Sequence, residues 1–290
     1  MTLPEPGAVV RSGFVALVGR PNVGKSSLLN RIVGAKVSIT APSPNTTRGA
    51  VRGVLEGPGF QAVVVDTPGL HRPRSLLGER LNDSARRGAD EADVVVLVVD
   101  ASSGIGAGDR HVAALLGPGS VVALNKIDRT PRARLLERLS TASEDLGLGE
   151  AELFPVSART GEGVAALVEH LVGRLEAGPR YFPPGTTSDV GEDERVAELV
   201  REQLLKAVRD ELPHSIACRV VERDGGYVRC EILVERESQK AIVIGRKGAV
   251  LKAAGTAARA ALPPGTYLDL VVKVEKDWQR RAELLSRLGY

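Results

Sequence analysis

The sequence predicts an α/β chain: a doubly wound, mostly parallel-sheet domain followed by a smaller α+β domain. Three observations carry this reading. Residues 12–178 alternate short apolar runs with helix-like stretches; one glycine-rich segment sits where such a run passes into a helix; and the pattern changes after a Pro/Gly-rich stretch at 179–191. The domains are therefore placed at 12–178 and 192–290, with residues 1–11 a variable extension and 179–191 a linker.

The first domain's runs are Phe14–Val18, Ala62–Val65, Val94–Val99, Val121–Leu124 and Leu153–Val156. Several are unbroken Val/Leu, as in strands covered on both faces. The stretches Leu28–Val33, Leu135–Leu146 and Val164–Leu175 read as helices. In the second domain, Val196, Leu199, Val200, Leu204 and Val208 keep helical spacing. Ser215–Val221 and Tyr227–Val234 read as strands joined through Asp224-Gly225-Gly226, a hairpin signal. A short helix, a Gly-x-x-Gly, a helix over Ala249–Leu262, a strand over Tyr267–Val274 and a last helix over Asp277–Leu288 follow.

The chain has 290 residues, 43% hydrophobic and 26% charged, which suits two globular domains. Its net charge of +3 provides no global basic field, so any nucleic-acid site must be local. Cys218 and Cys230 stand outside any CxxC or Cys/His cluster and read as buried small residues. No membrane span and no secretory leader is expected, which points to the cytoplasm.

Gly19-Arg20-Pro21-Asn22-Val23-Gly24-Lys25-Ser26, with Ser27 behind it, fits the phosphate-loop pattern and has the strand–loop–helix context the pattern requires. Glycines let several backbone N–H groups point at one anion, and the helix N-terminus adds its positive end. Lys25 is expected to reach the β- and γ-phosphates, and Ser26 to ligate Mg²⁺.

Asp66-Thr67-Pro68-Gly69 closes an apolar run with an acid. Asp66 is expected to hold Mg²⁺ through a water, and the Gly69 N–H to sense the γ-phosphate. Thr46-Thr47-Arg48 lies in the Pro/Ser-rich loop Ala41–Arg48. Thr47, in preference to Thr46, is the candidate third metal ligand, present with the γ-phosphate and released afterwards.

Asn125-Lys126-Ile127-Asp128 selects the base. The Asp128 carboxylate can accept two N–H bonds from guanine, whereas adenine would leave it desolvated and unpaired. Asn125 can tie loops together, the Lys126 stem can cover the base, and Ser157-Ala158 can offer a backbone N–H to guanine O6. The nucleotide is thus GTP or GDP. Leu70 stands where Ras-like enzymes carry a water-orienting Gln. Unassisted turnover is therefore expected on the order of 10⁻⁴ to 10⁻² s⁻¹. A partner or a monovalent cation such as K⁺, held near Asn22, would raise it.

In the second domain, Ile244-Gly245-Arg246-Lys247-Gly248 joins two helix-like segments. A Gly-x-x-Gly lets a nucleic-acid backbone approach, and Lys240, Arg246, Lys247 and Lys252 supply charge in a window, Ser238–Leu268, without acids. The order helix, two strands, helix–GxxG–helix, strand is similar to a type II KH domain. Two other readings stand beside RNA binding: docking to a protein or membrane surface, and a non-catalytic scaffold with nucleotide as a structural ligand.

A domain carrying these four nucleotide motifs, followed by a KH domain, resembles the bacterial Era family over roughly residues 12–290. Pro213-His214-Ser215 and the closing Asp277-Trp278 … Leu288-Gly289-Tyr290 also resemble it. The resemblance implies a ribosome-assembly GTPase whose KH domain binds 16S rRNA near its 3′ end in the small subunit. It also implies possible peripheral association with the inner membrane. No obligate protein partner is evident from the sequence.

Overall fold

A computed structural model describes residues 10–43, 46–71, 73, 75–116, 120–149, 151–208 and 212–290. Most of the extension expected at 1–11, and two residues of the Ala41–Arg48 loop, lie outside the described residues. The chain packs as two units. One comprises Met1–Ser38, Thr47–Arg72 and Leu81–Asp189; the other comprises Ile39–Thr46, Pro73–Arg80 and Val190–Tyr290.

In the first unit the chain runs β1 (Val10–Val18), α1 (Lys25–Val33), β2 (Val51–Gly57), β3 (Phe60–Asp66) and α2 (Leu76–Asp90), of which Leu81 onward packs here. It continues through β4 (Val94–Asp100), α3 (Ala107–Ala113), β5 (Val121–Asn125), α4 (Arg132–Leu146), β6 (Glu152–Pro155), α5 (Val164–Arg174) and a two-residue β7 (Ala177–Gly178). The sheet order is β2-β3-β1-β4-β5-β6, and β7 pairs with β1. The β3–β1–β4–β5–β6 pairings are parallel, whereas β2 and β7 add antiparallel edges.

The unbroken apolar runs are explained by helices on both faces. Val15 and Leu17 of β1 face Leu28 and Leu29 of α1 and Leu167 and Leu171 of α5. Their neighbours Ala16 and Val18 face the other core, with Ala85, Val112, Ala142 and Leu146. Period-two alternation is present, but both phases are apolar.

Strand β1 starts at Val10, two residues before the expected domain start, because Val10 and Arg11 pair with β7. Helix α4 starts at Arg132, three residues before the expected Leu135, with Pro131 as its N-cap. The stretch read as a linker is strapped to β2 and β3 over most of its length. Gln61 Oε1 accepts the N–H groups of Tyr181 and Phe182 at 2.8 and 3.0 Å, Arg180 pairs with Glu56, and Val54 N–H donates to Thr187 O at 2.9 Å.

The second unit holds α6 (Glu192–Ala207), a single turn α7 (Leu212–Ser215), β8 (Ala217–Asp224), β9 (Tyr227–Val234), α8 (Glu237–Ile244), α9 (Ala249–Arg259), β10 (Tyr267–Val274) and α10 (Ala282–Arg287). Strands β8 and β9 form the expected hairpin, with Gly225 at φ 53. Strand β10 lies parallel to β9. That pairing needs a crossover, which α8 and α9 supply. The buried face includes Cys230, Ile232, Val234 and Val272, packed with Val200 and Leu204 of α6 and Ala254 and Ala258 of α9. Both cysteines are buried and free.

The first hairpin strand begins at Ala217, because Ser215 closes α7, and α9 ends at Arg259 rather than Leu262. The last expected helix is broken. Asp277 takes φ 53 before a 3-10 turn at Trp278–Arg280, which seats a fully buried Trp278 whose Nε1 donates to Ser215 O at 3.0 Å. Among the described residues no helix is long and apolar enough to cross a membrane.

Candidate nucleotide site and GxxG turn

The loop between β1 and α1 curls through three positive-φ residues, Gly19, Asn22 and Gly24. A Cβ on Gly19 would sit 2.4 Å from Val98 O, and one on Gly24 would sit 2.4 Å from the Asn125 amide. Close approach therefore demands glycine at both positions. Lys25 opens α1 and folds back, donating from Nζ to Gly19 O at 3.1 Å and Arg20 O at 3.0 Å. Burial lowers its pKa to about 8, against the pull of Asp66 in the other direction.

Asp66 ends β3 fully buried. Its Oδ2 accepts from Ser26 Oγ at 2.6 Å, Ser38 Oγ at 2.9 Å and Thr47 Oγ1 at 3.0 Å, and Ser26 and Thr47 hydroxyls lie 2.9 Å apart. Burial pushes the carboxyl upward, opposed by Lys25 and the three hydroxyls. Its Oδ1 is buried without a hydrogen-bond partner among the described residues.

The three residues expected to surround Mg²⁺ thus converge. They present hard oxygen donors and one orphaned acceptor, a set that fits a hard dication. Thr46 does not join them; its Oγ1 donates to Ser43 O at 2.7 Å. Ser38 was not expected, and no motif or spacing marks it.

Gly69 lies against the phosphate loop: a Cβ there would be 2.6 Å from Pro21 N. Leu70 N–H donates to Gly19 O at 3.2 Å, while the Leu70 side chain is buried in the core. Pro68 is buried, and Thr67 turns its hydroxyl to Leu17 O at 2.8 Å. Arg20 is held by Asp109 of α3, Nε to Oδ1 at 2.7 Å. Val23 is buried and Ser27 exposed.

On the base side, Asn125 donates from Nδ2 to Val23 O at 2.9 Å and accepts from Ala158 N–H at 3.0 Å. One side chain thereby ties three loops. Lys126 donates to Asn22 O at 2.6 Å and pairs with Asp100 at 2.7 Å. Asp128 accepts from Ser157 Oγ at 2.6 Å and Arg159 Nε at 2.7 Å. Partial burial raises its pKa, but Ser157 and Arg159 outweigh that and leave it lowered. Asp100 and Arg159 were missed, although Asp100 closes strand β4 just as Asp66 closes β3.

In the second unit, Gly245 (φ 74, ψ 170), Lys247 (φ 53) and Gly248 (φ 76) turn the chain from α8 into α9. A Cβ on Gly245 would lie 2.5 Å from Val250 Cγ2, whereas Gly248 faces open space. Arg246, Lys247 and Lys252 are exposed and Lys240 is half-buried. Ile244 packs on the core. Ile242, which was not singled out, is 56% exposed on the helix entering the turn.

Comparison with known proteins agrees with this geometry. The family described as "50S ribosome-binding GTPase" matches residues 14–126, and the KH domain family matches residues 211–279. GTPase Era of Mycobacterium tuberculosis (strain ATCC 25618 / H37Rv) is 49% identical over 296 residues, covering 96% of this chain and 98% of the relative. A crystal structure of Era with MgGDPNP and nucleotides 1506–1542 of 16S ribosomal RNA superposes with a TM-score of 0.91 at 35% identity, covering 97% and 99% of the two chains. A variant of Aquifex aeolicus Era bound to GDP·AlF4⁻ gives 0.90 at 36% identity, with the same coverage. With a guanine-nucleotide site on the first unit and a KH fold in the second, the chain belongs to the GTPase Era family and is a GTP hydrolase.

Proposed function

We propose that this chain is a GTP-driven switch that binds 16S rRNA near its 3′ end through the KH domain and assists small-subunit assembly. The observation that carries the reading is the exposed GxxG turn. Arg246, Lys247 and Lys252 make no ion pair there among the described residues. Solvated cations on a turn flanked by two glycines suit a single-stranded phosphate backbone. The similar Era structure holding a 16S fragment supports this choice of RNA.

At the nucleotide site, the loop amides and Lys25 would hold the phosphates, and Asp128 with the Ala158 N–H would read guanine. Ser26 and Thr47, with Asp66 through a water, would hold Mg²⁺, which neutralises charge developing on the transferred phosphoryl group. Gly69 brings its N–H toward the γ-phosphate. Leu70, being buried and apolar, orients no water, so intrinsic turnover is slow. A K⁺ near Asn22 would supply further positive charge; equal rates in K⁺ and Na⁺ buffers would remove that element. The functional division falls at 12–178, 179–191 and 192–290, and we place the protein in the cytoplasm, with membrane association at most peripheral.

The test is binding of a 16S 3′-end oligonucleotide by the full chain in GDP and in GDPNP, with Gly248→Asp as control. Tight, GDPNP-favoured binding lost in the control is expected. Absence of binding in both states would leave a GTPase whose second domain docks elsewhere.

A further inference from the structure

The guanine side of the first unit has a support that no motif marks. Helix α1 opens with Lys25 and Ser26 at the phosphate loop, and its last turn carries Arg31. That guanidinium reaches out of its own helix. Its Nε donates to Ala158 O at 3.0 Å and its Nη2 to Arg159 O, 127 and 128 positions away. Among the described residues no other donor reaches either carbonyl.

Both held residues are tied to the base-reading groups. Ala158 is pinned at its two peptide groups, its N–H by Asn125 Oδ1 at 3.0 Å and its carbonyl by Arg31. Arg159 turns its Nε to Asp128 Oδ2 at 2.7 Å, while Ser157 Oγ donates to Asp128 Oδ1 at 2.6 Å. The rest of the loop is closed locally, by Ser157 N–H on Glu162 O at 2.9 Å and Gly161 N–H on Ser157 O at 2.8 Å. Those bonds shape the turn and leave the Ala158 and Arg159 carbonyls to Arg31. Peptide planes are rigid, so holding two successive carbonyls fixes the Arg159 backbone between them, and its side chain departs from a fixed Cα. An arginine fork spans two acceptors in one plane, which a lysine ammonium does not.

We infer that Arg31 is a positioning residue for guanine selection. It fixes Arg159 between two held peptide planes and, through Arg159, the Asp128 carboxylate. It also holds the carbonyl side of Ala158, whose N–H is the proposed donor to guanine O6. The inference rests on the base-reading roles given above to Asp128 and Ala158. Arg31 is itself exposed, so its bonds compete with water and the effect of losing them is moderate.

The experiment uses the full chain with Arg31→Met, which keeps the apolar stem and removes the donors. Affinities for GDP and inosine diphosphate are measured in Mg²⁺. Hypoxanthine keeps O6 and the N1–H but lacks the 2-amino group, so the ratio of the two affinities reports the second Asp128 bond. The wild-type chain should favour GDP. In the variant, GDP binding should weaken by about tenfold and inosine diphosphate binding by about threefold, so that the preference falls by about threefold, the worth of one modest hydrogen bond. Arg31→Lys, which can still reach one carbonyl, should recover part of the preference.

A merely structural role would lower the melting temperature and weaken both nucleotides alike, and an unchanged ratio would overturn the inference. If Arg31→Met does not fold, Arg31→Gln decides on the same ratio, because its shorter amide cannot span both carbonyls. A wild-type chain that binds the two nucleotides equally would defeat the Asp128 reading and the inference with it. A wild-type preference that survives in the variant defeats the inference alone.

Discussion

Asp66 and the Arg246–Lys247 turn hold charge in opposite ways. Asp66 is fully buried, surrounded by three hydroxyls and Lys25, with one oxygen unpartnered among the described residues. Arg246 and Lys247 stand in solvent on a turn whose backbone, rather than whose side chains, is constrained. A buried, preorganised site gains strength from low dielectric and tolerates little change. An exposed cationic turn works by summed, salt-screened contacts, each small. The difference teaches where single substitutions should bite: severely at the nucleotide site, gradually at the turn.

Lys25→Ala should break the comparison most visibly. It removes the buried cation that offsets Asp66, and phosphate release should fall by about 10²- to 10³-fold; a loss below tenfold would mean that Lys25 is structural. Asp128→Asn should weaken GTP binding by roughly 10²-fold, because the carboxamide presents a donor to a guanine donor edge. Xanthosine triphosphate, with a carbonyl at that edge, should bind the variant better than GTP does, and a titration with both nucleotides checks this. Gly69→Ala forces a Cβ against the Pro21 backbone. Hydrolysis should drop about tenfold with nucleotide affinity nearly kept if, as proposed, the Gly69 N–H acts on the γ-phosphate. Full activity would show that the loop yields freely.

The smallest effect sharpens the other side. Lys247→Ala should cost RNA affinity only a few-fold, and the salt slope of binding should fall by about 0.7, the value for one phosphate contact on a single strand. An unchanged slope would take Lys247 off the RNA path while leaving the GxxG geometry in place.

Much of the nucleotide site was legible because its motifs are local. The phosphate loop, Asp66-Thr67-Pro68-Gly69 and Asn125–Asp128 each lie at the C-terminal end of a buried strand, so the apolar run and the polar residue after it are read together, as with Val121–Leu124 followed by Asn125. The GxxG turn was legible for the same reason: Gly245 needs a backbone that only its own neighbours define. Helix and strand ends were less legible. Asp277 breaks the expected last helix because Trp278 must reach the core and Ser215, a partner 63 positions away.

What the sequence alone determined is the two-domain order, the strand–loop–helix of the phosphate-loop pattern, the Asn125–Asp128 loop after its strand and the locally basic turn, since these depend on residue types a few positions apart. What only the tertiary structure decided is the company each residue keeps. Ser38 on Asp66, Arg159 on Asp128, the strapping of 180–189 to β2 and β3, and the seating of Thr40 and Thr46 on Glu202 and Arg201 all join distant positions. Such pairings follow from packing and burial, in which a polar group takes whichever partner the fold brings within reach, and that reach is not written in any local pattern.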